Sequence, residues 1–443
     1  MLPGIMPATL ASLVSFFSDC FTKPSFVTFQ HLITGWLVYL GKHTVTGLLR
    51  ASGALGLKHP SCFHRFFNQA AWRLESFSLR LTDLVLSFFP DQRQISLVID
   101  DTLSRHTGKW IDSAAMHHDP LRSTKTKKFF SFGHVWVVVA ILFRLPVLQV
   151  DVALPIFIRL YRPKKLCQQY HWDFFTKPQL AAQMLQILAQ RYPQRRFDVV
   201  ADAAYTNHTL LSHLPPLLTF IGRGPLKAAI YDLPPQLPSK RGGRPRVRGN
   251  KQASPYQRAQ EKMGFVRSRM KAYQETVDIR VKVFDGLWWS QSGKCWVRWV
   301  LIKGWPKHKT DDVLLSTETQ LSAHEMIKRY CLRWKIEVTF HEAKGHLGVE
   351  EAQNRKAKAV ERTTPLSLFL YTITVLWYVS AGKLTTPPSF LSVPWYPKTR
   401  PTFKDMLAAL RLEIWQERFS SLKSQSDDSP KAIALALAAL AYP

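Results

Sequence analysis

Between Gln94 and Ile221 the apolar residues come in short, nearly unbroken runs, and this pattern leaves few folds open. Ile95 to Ile99, His134 to Leu142, Val147 to Ile156, Phe197 to Ala201 and Leu217 to Ile221 each read as a strand. A strand that is apolar on both sides belongs in a sheet covered on both faces. Phe143-Arg144-Leu145-Pro146 is a fitting hairpin connection between the second run and the third. Thr176 and Pro178 then open a helix whose Leu180, Met184, Ile187 and Leu188 share one face. A short helix from about Asn207 to Leu214 separates the last two strands. Three strands in a meander, followed by alternating helices and strands, predict a mixed α/β sheet.

A chain of 443 residues leaves room for more than this sheet. Residues 1–92 carry apolar residues at helical spacing, as in Phe66, Ala70, Leu74, Phe77 and Leu81, and predict a small helical domain. His59, His64, Arg65, Arg73 and Arg80 would let it bind DNA. The sheet domain occupies 93–222, is interrupted by an insertion at 223–320, and resumes over 321–382. Residues 383–443 form a C-terminal helical region suited to dimerisation. The longest uncharged run, Thr363 to Gly382, has the length of a membrane span. With Pro365 at its start and Ser367, Thr372 and Thr374 within, it reads instead as a buried helix. Five scattered cysteines without C-x-x-C spacing point to a reducing cytosol and away from structural zinc. The apolar N-terminus lacks the cationic start of a signal peptide.

Charge narrows the class of partner. The formal net charge is +29, far beyond what solubility requires, so a polyanion is the expected partner. Residues 223–310 hold 20 Lys or Arg against 5 Asp or Glu, about half of the whole excess. Within them Ser239 to Gln252 is Gly-rich, charged and unable to form a core, which marks a loop. Arg244 and Arg246 sit there in a Gly-Arg-Pro-Arg string, read as phosphate-binding. Thr276 to Phe284 and Cys295 to Lys303 alternate as strands, joined by a turn that carries Trp288 and Trp289.

Three acids stand where chemistry is usually built. Sites in open α/β sheets lie beyond the carboxyl ends of strands. The first strand ends in Asp100-Asp101-Thr102 and the fourth delivers Asp202. The third acid, Glu337, lies within a helix opened by the capping-box pair Ser322 and Glu325 and free of Gly or Pro until Gly345. On one uninterrupted helix Tyr330, Arg333, Glu337 and Lys344 fall within an arc of roughly 60°. Three carboxylates repel one another, and divalent cations relieve that repulsion. Two Mg²⁺ ions would activate the attacking oxygen and stabilise the leaving oxygen of a phosphoryl displacement. His341-Glu342-Ala343-Lys344-Gly345-His346 is not a zinc-protease motif, because its histidines are five apart.

The string Tyr330-x2-Arg333-x3-Glu337-x6-Lys344 resembles the signature of bacterial insertion-sequence transposases of the DDE class. Ile99 to Thr102 and Ala201 to Tyr205 look like that family's two aspartate motifs. The resemblance, over about residues 94 to 380, implies a ribonuclease-H-like catalytic domain with a β-rich insertion. It implies Asp101, Asp202 and Glu337 as the metal-binding triad for two Mg²⁺ ions, with Mn²⁺ able to substitute. Adjacent strand residues point to opposite faces, so only one of Asp100 and Asp101 can serve, and the Asp-Thr dipeptide favours Asp101. Tyr330, Arg333 and Lys344 would contact DNA phosphates, and Trp288 or Trp289 would stack on a flipped base if a hairpin forms. The implied activity is strand cleavage at element ends and transfer into target DNA, by a homodimer in the bacterial cytoplasm with no membrane partner. A stand-alone nuclease of the same fold, or an inactive DNA-binding descendant, are the alternatives.

Overall fold

The computed structural model describes residues 6–108, 110–146, 148–235, 246–272, 275–293, 295–305, 311–383, 395 and 397–422. Residues 6–90 carry five α-helices: α1 (Ala8–Ser15), α2 (Lys23–Val38), α3 (Val45–Ser52), α4 (Pro60–Asn68) and α5 (Leu74–Leu86). Each later apolar run becomes a strand longer than its apolar stretch. These are β1 (Gln94–Arg105), β3 (Phe130–Leu145) and β4 (Val150–Tyr161), with a short β2 (Ala115–His118) between the first two. Helix α6 (Lys164–Gln169) leads to α7 (Lys177–Arg191), whose start is fixed by a capping box between Thr176 and Gln179. Then follow β5 (Arg196–Ala201), α8 (His208–Leu211) and β6 (Leu218–Arg223).

The sheet order explains how the site is built. β1 pairs antiparallel with β3, and β3 with β4, which is the meander. On its other side β1 pairs in parallel with β5, and β5 with β6. This is the mixed arrangement expected of a ribonuclease-H-like domain.

The insertion extends that same sheet. After α9 (Pro255–Gln260) it supplies β7 (Val266–Ala272) and β8 (Glu275–Leu287). Following α10 (Trp289–Ser292) come β9 (Trp296–Lys303) and β10 (Asp312–Ser316). β10 pairs antiparallel with β6, and the order runs on through β9, β8 and β7, giving ten strands among the described residues. β8 and β9 match the two expected strands. The alternating charges of β7 and the brevity of β10 concealed them.

Helices α11 (Ala323–Cys331), α12 (Trp334–His346), α13 (Ala357–Ser380) and α14 (Phe403–Leu422) follow among the described residues. The uncharged run lies in α13, which is buried along nearly its whole length. Among the described residues no helix is long and apolar enough to cross a membrane.

α1–α5 do not close a core of their own. Leu10, Phe29, Phe66 and Phe77 belong to one continuous apolar cluster with Ile99, Val138, Leu188, Phe369 and Leu407. Phe77 stacks on Phe369 of α13 at 5.6 Å. A smaller cluster seats Met326 and Ile327 of α11 on Met270, Ile279, Val300 and Leu314 of the extended sheet.

Candidate active site

The helix expected to run unbroken from Ser322 tightens at Leu332 and Arg333. Both residues keep helical angles, but the hydrogen bonds there close over three residues. Leu332 N–H donates to Arg329 O at 3.1 Å, Arg333 to Tyr330 at 3.0 Å and Ile336 to Arg333 at 3.1 Å. Tyr330 therefore lies in the last turn of α11, while Glu337 and Lys344 belong to α12. Arg333 sits at the joint.

From that joint Arg333 reaches across to β1. Its Nη1 donates to Asp100 Oδ2 at 2.8 Å and its Nη2 to Glu337 Oε1 at 2.6 Å. One guanidinium thus spans two carboxylates. Burial alone would lower the Arg333 pKa, but Asp100, Glu337, Tyr330 and Asp202 outweigh it and hold the group firmly charged. Its Nε is buried without a hydrogen-bond partner. Burial pushes the Asp100 carboxyl up to about 7, against the pull of Arg333.

Asp202 belongs to the same face. β1 and β5 run parallel with Ile99 opposite Ala201, so the next residues, Asp100 and Asp202, are neighbours across the pair. Asp202 keeps extended angles beyond the end of β5, and its carboxylate takes part in no hydrogen bond or ion pair among the described residues. Burial pushes the Tyr330 phenol up to about 12, with Asp202 adding to the shift and Arg333 opposing it. An open cleft of about 830 Å³ is lined by Asp202, Tyr330, Arg333 and Trp334 together with Arg223, Lys271 and Asp312.

Asp101 faces the other way. Its Oδ2 accepts from Lys177 Nζ of α7 at 2.6 Å and its Oδ1 from the Tyr205 hydroxyl at 3.0 Å. Tyr205 is fully buried, and that burial together with Asp101 drives its pKa well above 10. Arg333 therefore links Asp100, not Asp101, to Glu337, while Asp202 acts both on Arg333 and on the Tyr205 that holds Asp101. Strand alternation was legible in the sequence. Which helix covers which face was not.

The remaining expected residues divide. Lys344 donates to Leu103 O at 2.6 Å and pairs with Glu350 at 3.3 Å, so it ties α12 to β1 and does not line the cleft. Trp288 is only 7% exposed and packs edge-on against Trp299 at 5.5 Å. Hydrophobic packing beneath the turn accounts for it, and no base can stack on it there. Trp289 is half-buried at the start of α10, Arg246 is exposed in a loop, and Arg244 lies outside the described residues. Trp334, 51% exposed beside Arg333, carried no sequence signal beyond its place on the helix. Neither did Lys177.

The donor set suits a hard divalent cation: three carboxylates, two of them already bridged by a cationic group. As they stand, no three His, Cys, Asp or Glu side chains among the described residues are close enough to hold a metal. Arg333 occupies the space between two of them. Asp100, Asp202 and Glu337 would hold the metal once that guanidinium turns away, and its unpartnered Nε shows that its present hydrogen bonding is incomplete.

A family model described as DDE superfamily endonuclease matches residues 16–281. The match takes in α2–α5, Asp100, Asp101 and Asp202, and stops short of Glu337. A search of curated proteins returns no match.

Proposed function

The chain belongs to the DDE endonuclease superfamily, and from that premise we propose that it is a transposase, cutting DNA at the ends of a bacterial insertion sequence and joining them to target DNA. One observation carries the reading: Arg333 bridges Asp100 and Glu337, Asp202 follows the residue that pairs with Ile99 just before Asp100, and Asp202 and Arg333 share a cleft with Arg144, Arg223, Lys271 and Lys328. The superfamily implies DNA as the substrate. Divalent metal held by these carboxylates would supply an activated oxygen nucleophile and charge stabilisation at the leaving oxygen.

The protein's own groups position the strand. Arg333 turns from Asp100 and Glu337 to a phosphate, which satisfies its Nε and frees the carboxylates. Tyr330, protonated at neutral pH, donates to a neighbouring phosphate oxygen. Trp334 offers the cleft an exposed ring for an unpaired base, a contact worth roughly 1–3 kcal/mol. Lys177 and Tyr205 hold Asp101 on the opposite side and so fix the register of β1. In the first step water oxygen bonds to phosphorus and the P–O3′ bond breaks. The released 3′-hydroxyl oxygen then bonds to a target phosphorus as that phosphodiester's own P–O3′ bond breaks and its departing 3′ oxygen takes up the proton, with two chains acting on two ends.

The test is cleavage and joining of a duplex that carries the flanking inverted repeats, in Mg²⁺ or Mn²⁺. Asp100→Asn, Asp202→Asn and Glu337→Gln should each lower cleavage by roughly 100-fold or more, while Asp101→Asn keeps measurable activity. Full activity in Asp202→Asn or Glu337→Gln would sink the assignment. The reverse ranking of Asp100 and Asp101 would overturn the register reading alone. Cleavage without any joined product would leave a nuclease.

A further inference from the structure

Beyond the carboxyl end of β1, the β2–β3 hairpin carries a turn that none of this chemistry uses. Residues 120–130, Pro-Leu-Arg-Ser-Thr-Lys-Thr-Lys-Lys-Phe-Phe, hold Arg122, Lys125, Lys127 and Lys128 and no acid. All four cations are exposed, and among the described residues none pairs with a carboxylate. A run of lysines on a surface is usually just solvated. This one sits on a turn that is already fixed.

Asp119, 2% exposed, anchors the base of the turn. Its carboxylate accepts from Ser131 Oγ at 2.8 Å and from Arg122 N–H at 3.3 Å. Ser123 Oγ donates to Asp119 O at 2.6 Å and accepts from Phe129 N–H at 3.0 Å. Thr124 N–H donates to Lys127 O at 2.8 Å, and Lys127 N–H donates back to Thr124 Oγ1 at 3.0 Å. Arg122 and Lys127 lie over the Phe129 ring at 5.7 and 5.0 Å. Little backbone ordering is left for a partner to impose.

The turn is also coupled to the acidic site. Lys344, on the helix that carries Glu337, pairs with Glu350 at 3.3 Å. Glu350 pairs with Arg105 at 3.5 Å, and Arg105 reaches Asp119 at 3.9 Å. This chain of charges runs from α12 along the end of β1 to the base of the hairpin. Asp100 lies opposite Val138, and the hairpin's last paired residue on that strand is Phe130. Eight residues of strand at about 3.3 Å each put the turn roughly 26 Å from Asp100, or about eight base pairs along a duplex at 3.4 Å each.

Resting on the reading that DNA enters the acidic cleft, we propose that the 119–129 turn is a clamp for the phosphate backbone, gripping the duplex about eight base pairs from the cut. Its side chains make sequence-independent contacts that fix the lie of the DNA along α12.

The experiment compares the full chain with a variant carrying Arg122→Ala, Lys125→Ala, Lys127→Ala and Lys128→Ala. Binding is measured by fluorescence anisotropy, without divalent metal, on duplexes of 30 and 6 base pairs over a range of salt. On the long duplex the variant should bind at least about tenfold more weakly, with a salt slope shallower by about 3.6, because each of the four lost phosphate contacts removes about 0.9. On the short duplex, which cannot span the two places, both proteins should bind alike. An unchanged slope on the long duplex, or an equal loss on both lengths, overturns the clamp. If the wild type fails to cut in Mg²⁺ while the length-dependent loss persists, the catalytic reading falls and the clamp stands.

Discussion

Arg333 is the residue on which the site turns. Its guanidinium does for Asp100 and Glu337 what a dication would do, cancelling their mutual repulsion at 2.8 and 2.6 Å. Metal and guanidinium are therefore competitors, and a DNA phosphate that draws Arg333 away assists the metal. By linkage the assistance is reciprocal. Arg333→Gln, measured by calorimetry with Mn²⁺ and no DNA, should bind the ion several-fold more tightly than the wild type, a gain of about 1 kcal/mol. Cleavage should fall nonetheless, because the phosphate loses its partner. Weaker Mn²⁺ binding by a folded Arg333→Gln would show that the arginine does not stand in the metal's place. At this scale the sequence singled out Asp202, Glu337 and Arg333 by their strand-end and helix positions, and the structure sets Arg333 against Glu337. It chose Asp101 over Asp100 on the Asp-Thr dipeptide, since alternation separates two faces without saying which of them α12 will cover.

At the scale of elements, legibility followed apolarity. β1, β3, β4, β5 and β6 were readable because buried strands must be apolar on both sides, whereas β7 shows Arg267, Arg269 and Lys271 to solvent and resembles a loop. The joint between α11 and α12 left no mark, as neither Leu332 nor Arg333 breaks helices. The junction of β1 with β3 also carries a pH dependence. His106 Nε2 and His134 Nδ1 stand 3.0 Å apart, and His134 Nε2 meets Asp112 O at 2.8 Å. Burial, with His134 adding to it, pushes His106 down to about 4. Burial likewise lowers His134, with Asp112 opposing and Arg162 reinforcing the shift. The unfolded chain takes up these protons near pH 6.5, while the fold refuses that of His106 until about 4. Stability is therefore full above pH 6.5 and is lost as the pH falls from 6.5 to 4, by on the order of 3 kcal/mol for His106. Urea unfolding at pH 7.5 and pH 5 should show about 2 kcal/mol of that loss in the wild type and a smaller loss in His106→Gln. Equal losses in both would remove His106 as its source.

For the whole molecule, a run of helices followed by a run of strands looks like two domains in sequence, because periodicity reports which face of a helix is buried and not what it is buried against. Here the partner of α1–α5 is α13. Arg362, 4% exposed in α13, donates to Phe67 O at 3.1 Å and to the carbonyls of Phe66 and Trp72. Burial pushes its pKa down to about 10. Trp36 Nε1 donates to Leu347 O at 2.9 Å, just past α12, and Arg411 Nε of α14 donates to Leu37 O at 2.7 Å. Without α1–α5 the guanidinium of Arg362 loses every one of those carbonyls, and the apolar side of α13 faces water. Each large apolar side chain of α13 exposed in this way costs about 1.5–3 kcal/mol, so a few of them reach a large share of the 5–15 kcal/mol that holds a typical protein together. A fragment beginning at Gln94 should therefore keep helical far-UV circular dichroism, lose its near-UV signal and unfold without a cooperative transition. The full chain should unfold once, with fluorescence and circular dichroism coinciding. A fragment that melts sharply and retains its near-UV spectrum would show that the sheet and its acidic cleft stand without the helices in front of them.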